Sequence, residues 1–233
     1  MIDFHSHILP GIDDGSDSAE MSLEMLRMEA EQGIDTVVAT PHFYARYESA
    51  EEFLRKREAA EKVLREAMAH EKGLPKLAVG AEVYFFRGIS ETDFLSHMAI
   101  KGTNCVMIEM PPAPWEDAIY RELVRIREKK GLIPVIAHVD RYIGRFRTYR
   151  IPERLAELPV LVQANADFFL DRSMESLALK MMKRGQIHLL GSDSHNLTSR
   201  KPNIGPAREL ILRKLDRRVC EKFAGYETIV FDF

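Results

Sequence analysis

The sequence predicts an α/β protein, a parallel barrel of seven strand–helix units in the manner of a TIM barrel. Two observations predict it. Short apolar runs alternate with longer segments of helical periodicity along the chain, the pattern of parallel strands joined by right-handed crossovers. All but one of the apolar runs also end at or just before a histidine, aspartate or glutamate. Periodicity alone fits an open doubly wound sheet equally well. The polar residues decide for the barrel, because only a closed barrel brings the C-terminal ends of all its strands to one mouth.

The elements follow in order. Met1–Phe4 is the first strand. Asp17-Ser18-Ala19-Glu20 reads as an N-cap with a capping glutamate, and Ala19, Leu23, Leu26 and Ala30 then share one helix face that Gly33 ends. Thr36–Thr40 is the second strand. Ser49-Ala50-Glu51-Glu52 is a second capping box, whose helix carries Phe53, Ala60, Leu64 and Ala67 on one face and stops at Gly73. Leu77–Val83 and Cys105–Met110 are the third and fourth strands. Ile119, Leu123 and Ile126 mark a helix that ends at Gly131. Ile133–Ala137, Val160–Gln163 and Ile187–Gly191 complete the strands, with helices near 173–184 and 205–223 after the last two. With no internal repeat, low-complexity tract or Gly/Ser linker, residues 1–233 read as one domain.

Composition removes whole classes of function. The 233 residues are 45% hydrophobic and 30% charged, as in an ordinary globular protein. A formal net charge of −3 argues against bulk electrostatic binding to nucleic acid or to an acidic membrane face. Two cysteines, Cys105 and Cys220, exclude a disulfide scaffold and a four-cysteine zinc site. They exclude a Cys-x5-Arg phosphatase loop as well, since positions 111 and 226 hold Pro111 and Tyr226. Neither a signal peptide nor an apolar run of membrane-spanning length is present, so the expected compartment is the cytoplasm, without membrane insertion.

The strand ends carry the chemistry. His5 and His7 follow the first strand and His42 the second. Glu82 and Glu109 end the third and fourth, His138 the fifth, and Asp193 and His195 follow the seventh. Imidazole with carboxylate suits Zn, Mn and Fe(II), whereas an all-oxygen set would suggest Mg or Ca. The set exceeds what one ion needs, so two or three ions with a bridging carboxylate are expected, an arrangement that clamps a phosphate and activates a water. Each residue alone has a plain structural reading: a chance His-x-His on a loop, glutamates paired with arginines, Asp193 as a helix cap, His138 as a satisfied core histidine. His70, His97 and His188 keep that plain reading. The combination does not, because an unpaired buried charge is costly and here one closes nearly every apolar strand.

The opening Asp3-Phe4-His5-Ser6-His7 with Gly11-Ile12-Asp13-Asp14-Gly15 resembles the first motif of the PHP (polymerase and histidinol phosphatase) superfamily. Thr40-Pro41-His42, Ala137-His138 and Gly191-Ser192-Asp193-Ser194-His195 resemble its later motifs. More narrowly, HSHILPGIDDGS, VATPH, GAEVY, IAHVDRY and GSDSHN are similar to the manganese-dependent protein-tyrosine phosphatases of capsule and exopolysaccharide loci, the CpsB/YwqE type, from residue 1 to about residue 206. The resemblance implies a distorted (β/α)7 barrel of the PHP type and three ions. His5, His7, Glu82 and Asp193 would hold the first, and Glu82, Glu109 and His138 the second, with Glu82 bridging. Asp14, His42 and His195 would hold the third. It implies Mn2+ as the metal, with Fe, Zn and Co acceptable to the same ligands, and Arg141 and Arg200 as phosphate contacts. Val139-Asp140 stands where the family has Pro-Glu.

The implied substrate is the phosphotyrosine-rich tail of a bacterial tyrosine autokinase. Phe43, Tyr44, Arg46 and Tyr47, directly after His42, are candidates for a rim that packs against the phenol ring. The rivals are another PHP phosphoesterase, either a histidinol phosphatase or a nuclease-like enzyme, and a kinase-docking regulator with little turnover. In Arg141–Arg150, Arg141, Arg145, Arg147 and Arg150 interleave with Tyr142, Phe146 and Tyr149, a pattern that suits a phosphotyrosine cradle or the stacking of nucleic-acid bases, beside its plain reading as a solvated loop.

Overall fold

The computed structural model describes residues 1–143 and 150–231. Strand β1 (Ile2–Ser6) is followed by α1 (Ala19–Glu31), β2 (Thr36–Ala39), β3 (His42–Phe43) and α2 (Ala50–Met68). Then come β4 (Lys76–Val79), β5 (Glu82–Tyr84), two 3-10 turns, β6 (Cys105–Glu109) and α3 (Asp117–Lys130). The rest is β7 (Ile133–Ile136), α4 (Asp140–Ile143), α5 (Ile151–Leu155), β8 (Leu161–Asn165), α6 (Ala166–Leu170), α7 (Glu175–Lys183), β9 (Leu189–Gly191), α8 (Ile204–Lys214) and α9 (Arg217–Phe231).

Every described strand pair is parallel, in the orders β1-β2-β4 and β3-β5-β6-β7-β8-β9. The predicted second and third strands are each broken in two. Proline 41, which has no amide proton to give, interrupts one, and Gly80-Ala81 the other. The register offset between β2 and β4 is the same as that between β3 and β5. Gly80 N–H donates to the Ala39 carbonyl and Glu82 N–H to the Pro41 carbonyl, so the ladder runs past the breaks. The ring closes where β9 returns to β1. Ser6 and Ser194 form a parallel bridge, Asp193 N–H donates to the His5 carbonyl at 2.8 Å and His7 N–H to the Ser194 carbonyl at 2.9 Å. Counting each broken strand once gives seven units and a distorted (β/α)7 barrel.

A bulge in β1 aims the first ligand pair. Ile2 and Asp3 face Thr36 and Val37, but Ser6 faces Ala39, so β1 holds one extra residue. An extra residue inverts the alternation of faces beyond it. Phe4 belongs to the barrel interior, whereas Asp3 meets Glu29 of α1 outside. Past the bulge His5 shares the side of Phe4, and with it the mouth.

Two apolar layers support the mouth. Phe4, Val38, Met107, Val135, Leu161 and Leu189 fill the barrel interior, and α9 adds Val230 to them. The Phe231 ring of α9 lies 6.1 Å from that of Phe4, so the last helix packs on the interior at the end away from the ligands. A second layer, including Leu26, Phe53, Leu64, Leu123 and Ile126, lies between strands and helices.

Three local expectations need correction. Helix α1 is capped by Ser18, whose hydroxyl accepts from Met21 N–H at 3.2 Å, so the first cap lies one residue later than predicted and has no reciprocating glutamate. The Ser49 cap of α2 is as expected on its hydroxyl side, but the Glu52 carboxylate turns to Lys56 at 3.2 Å. The helix expected over 205–223 is two helices. Leu215 is extended between them, and the Asp216 carboxylate accepts from Val219 N–H at 3.1 Å, starting the second.

Candidate metal centre

The nine residues expected to bind metal meet at the C-terminal mouth. Nε2 of His5 and Nε2 of His7 are 3.2 Å apart. Glu82 Oε2 lies 3.4 Å from the first and 3.5 Å from the second, and Asp193 Oδ1 lies 3.7 and 3.4 Å from the same two atoms. On the far side Glu82 Oε1 is 2.7 Å from His138 Nε2, and Glu109 Oε1 is 3.8 Å from that nitrogen. Asp14 Oδ1 stands 3.5 Å from Nε2 of both His42 and His195. The structure thus brings together each of the three expected ligand sets. His42 reaches further than expected, with Nδ1 3.0 Å from Glu82 Oε2. Asp14, 67% exposed, sits at the rim, whereas Glu82 is 1% exposed at the centre. His70 and His97 are exposed elsewhere, and His188 accepts from Val162 N–H through Nδ1 at 3.0 Å, as the plain reading expected.

The donor set fits cations. Among the described residues, Glu82 Oε2 and His195 Nε2 are buried with no hydrogen-bond partner of good geometry, although His42 Nδ1 comes within 3.0 Å of the first. Three imidazoles use Nδ1 as a donor, which leaves Nε2 to face the cluster. His7 Nδ1 lies 2.7 Å from the Asp13 carboxylate and His195 Nδ1 2.9 Å from the Asp193 carbonyl, and both oxygens only accept. His5 is held through a relay. The backbone N–H of His138 donates to Gln163 Oε1 at 2.6 Å, so that oxygen can only accept from His5 Nδ1 at 3.3 Å. The Gln163 amide then donates to Asn165 Oδ1, and the Asn165 amide to Asp193 Oδ2, each at 3.0 Å. Nε2 of His5 and Nε2 of His7 lie 3.2 Å apart, close enough to share one proton, and a cation in the place of that proton would meet both lone pairs.

The electrostatics agree. Burial pushes the Glu82 carboxyl up, but His5 and His138 outweigh it and hold Glu82 well below the usual carboxylate range. Burial raises Asp193 too, and His5, His7 and Arg141 overcome it. At His7, burial disfavours the imidazolium, but the bonds to Asp13, Asp193 and Glu82 hold its pKa well above normal. A proton there does the work of a cation and is released when one binds. Burial and the His7 charge bring His195 down to about 4, which keeps it a neutral ligand. Glu109 is raised by burial and by Glu82.

The mouth is built under strain and close contact. His138 at φ 33° and Asp193 at φ 52° are non-glycine residues in the left-handed region. A Cβ at Gly191 would lie 2.5 Å from His5 Cβ, and one at Gly15 would lie 2.1 Å from the His7 carbonyl oxygen. Both glycines let a second chain segment press against a ligand histidine.

Arg141 and Arg200 also reach the mouth. Arg141 Nη2 donates to Asp193 Oδ2, and its Nη1 is 3.7 Å from Glu109 Oε1. Arg200 Nη2 donates to Asp193 Oδ1 at 2.9 Å. Their side chains are 41% and 38% exposed, so both arginines are partly open to solvent beside the cluster. Sequence reasoning missed the residues behind the ligands. Asp13 accepts from His7, from His42 N–H at 3.0 Å and from Gly15 N–H at 3.0 Å, and so joins two ligand sets. The doubled aspartate in Asp13-Asp14 was the signal that could have found it. Gln163 and Asn165 show why the sixth strand, β8, needs no ligand: it supplies the orienting amides. The aromatic rim is smaller than expected. Phe43 is buried between Phe53 and Phe94, while Tyr44, Tyr47 and Arg46 remain at the surface side. The Arg145–Tyr149 stretch lies outside the described residues.

Residues 1–227 match the family model described as capsular polysaccharide synthesis, CpsB/CapC. The chain belongs to the CpsB/CapC family. The tyrosine-protein phosphatase CpsB of Streptococcus pneumoniae is 30% identical over 229 residues, covering 92% of this chain and 90% of the relative. The tyrosine-protein phosphatase YwqE of Bacillus subtilis (strain 168) is 30% identical over 217 residues, covering 86% and 79%. Among solved structures, a chain from the work on Bacillus subtilis YwqE and Streptococcus pneumoniae CpsB, described as unique metal-dependent tyrosine phosphatases, superposes with a TM-score of 0.84 at 24% identity, covering all of this chain and 94% of that one. The phosphotriesterase homology protein of Escherichia coli, solved with phosphate in its active site, shares the fold at a TM-score of 0.53 and 12% identity, covering 99% of this chain and 97% of that one. Among the described residues, no helix of this CpsB/CapC member is long and apolar enough to cross a membrane.

Proposed function

We propose that this CpsB/CapC member is a metal-dependent protein-tyrosine phosphatase that uses two to three Mn2+ ions and acts on the phosphotyrosine-rich tail of a bacterial tyrosine autokinase, within capsular or exopolysaccharide synthesis. The observation that carries it is the pairing of two features at one mouth: converging Nε2 and carboxylate donors around Glu82, with two half-exposed arginines beside them. Ions held there supply Lewis-acid neutralisation of the phosphoryl charge and a water of lowered pKa. His5, His7, Glu82 and Asp193 would hold one, Glu82, Glu109 and His138 a second, and Asp14, His42 and His195 a third. The chain's own contribution is orientation. Asp13, Gln163 and the Asp193 carbonyl keep three imidazoles in the ligating tautomer, and the buried walls exclude water from the centre. Arg141 and Arg200, each now paired with Asp193, offer planar forks to phosphate oxygens once cations satisfy that carboxylate.

The deciding experiment is steady-state kinetics in Mn2+ on peptides differing only in phosphotyrosine, phosphoserine or phosphothreonine, with histidinol phosphate and single-stranded DNA in parallel. The phosphotyrosine peptide is expected to show the highest kcat/KM. Equal values for the three peptides would leave a general phosphoesterase. Preference for histidinol phosphate or DNA would favour the corresponding rival, and no turnover on any substrate would favour the docking regulator.

A thiol mechanism has no support in the geometry. Cys105 lies in the barrel interior with its thiol pushed up to about 11 by burial, and Cys220 is raised as well, first by burial and then by Asp216. A Cys105→Ser, Cys220→Ser double variant is expected to retain activity within a few-fold of wild type. A folded but inactive double variant would restore the cysteine mechanism.

A further inference from the structure

We propose that Tyr142 is a positioning residue that fixes the tautomer of His138 and ties it to Glu109, setting the affinity of one ion; this rests on the reading above that Glu82, Glu109 and His138 hold metal. A phenol has one hydrogen and two lone pairs. The Tyr142 hydroxyl donates to the Met110 carbonyl at 3.0 Å and accepts from Met110 N–H at 3.0 Å. One lone pair remains, and it faces His138 Nδ1 at 3.3 Å. It can only accept, so Nδ1 must carry a hydrogen, which leaves Nε2 as the nitrogen that can face an ion.

A second contact makes the same demand from the other side. Arg141 Nη1 lies 3.2 Å from His138 Nε2, and a guanidinium only donates. Among the neutral forms both neighbours select the one with its lone pair on Nε2, and Glu82 Oε1, 2.7 Å from that nitrogen, only accepts, so a proton or a cation stands between the two.

The same hydroxyl joins two strand ends. Met110 follows Glu109 at the end of β6, and His138 follows β7 one helical turn before Tyr142. Its two bonds to the Met110 backbone thus hold the residue next to Glu109 while the third holds His138. The strut is stiff. Tyr142 is 2% exposed, and its ring lies 5.1 Å from Trp115, whose indole N–H donates to the Pro111 carbonyl at 3.2 Å. His138 itself sits at a strained φ of 33°, where an orienting bond matters most.

The test compares Tyr142→Phe with His138→Ala in the full chain, reading Mn2+ stoichiometry and affinity by calorimetry, melting temperature, and kcat against Mn2+ concentration. His138→Ala is expected to lose one ion. Tyr142→Phe is expected to keep the wild-type number but bind one of them about 10- to 100-fold more weakly, the usual scale for loss of an orienting partner. Its turnover should fall at limiting Mn2+ and return to within a few-fold of wild type at saturation. Wild-type affinity for every ion in Tyr142→Phe, even with a lower melting temperature, would make the hydroxyl merely structural and overturn the proposal. If His138→Ala keeps every ion, the metal reading of this set fails first and the role of Tyr142 falls with it. Should Tyr142→Phe not fold, NMR of the Zn2+-loaded wild type decides. A His138 Nδ1-bound proton with a cross-relaxation contact to the Tyr142 ring supports the proposal, and its absence overturns it.

Discussion

Replacing Glu82 with alanine is expected to lower kcat/KM on a phosphotyrosine peptide by several orders of magnitude, the scale seen when an essential group is lost. Glu82 is the carboxylate that the other ligands surround. One oxygen meets His138 at 2.7 Å, and the other meets His42, His5 and His7 at 3.0, 3.4 and 3.5 Å. In the proposed arrangement it is the group common to two ions, so its loss disables both, whereas loss of a rim ligand such as Asp14 disables one. The barrel should survive. Val83, the next residue of β5, stays in the core, and the carboxylate removed makes its polar contacts to imidazoles. Breaking a buried charge cluster costs about 3–5 kcal/mol in unfavourable cases, so melting is followed alongside activity and metal content. Glu82→Gln separates charge from shape and is expected to behave like the alanine variant in activity. Activity within a few-fold of wild type at saturating Mn2+, in either variant, would refute the shared-ligand assignment.

The part of this centre that could be read from sequence is the part whose geometry the fold class dictates. A residue closing an apolar strand in a parallel barrel lies at the mouth, and so the positions of His42, Glu82, Glu109, His138 and Asp193 follow from the strand pattern alone. His5 was placed by the same rule, but for an incomplete reason: on an unbulged strand it would have faced α1 with Asp3, and the extra residue between Asp3 and Ser6 turns it inward. Asp14 was reachable only by family resemblance, because it sits on a loop with no periodicity to place it. The supporting residues were out of reach for a different cause. Gln163, Asn165 and Tyr142 act by which atom of a neighbouring strand they face, and register between β6, β7, β8 and β9 is a product of the whole fold. The breaks at Pro41 and Gly80 hide for the opposite reason. The apolar pattern runs straight through them, since pairing resumes with the same offset beyond.

Arg141→Lys and Arg200→Lys are each expected to lower kcat/KM by about ten- to a hundredfold, the value of a charge-assisted hydrogen bond at about 1.5–3 kcal/mol, with metal content unchanged. Lysine keeps the charge and loses the fork, so the effect reads geometry and not net charge. The structure gives the test two distinguishable outcomes. Both guanidinium groups donate to Asp193, one to each of its oxygens, and Asp193 is a proposed ligand. If the arginines serve the phosphate, cations take over Asp193, and the lysine variants bind metal as wild type while handling substrate poorly. If instead the arginines hold Asp193 in its ligating pose, the lysine variants lose metal, and added Mn2+ restores their rate. The partial exposure of both side chains, 41% and 38%, leaves them within reach of a substrate group and favours the first outcome. Metal analysis of each purified variant, set beside its kcat/KM at limiting and saturating Mn2+, distinguishes them. Loss of an ion from either variant would reassign that arginine from the substrate to the cluster.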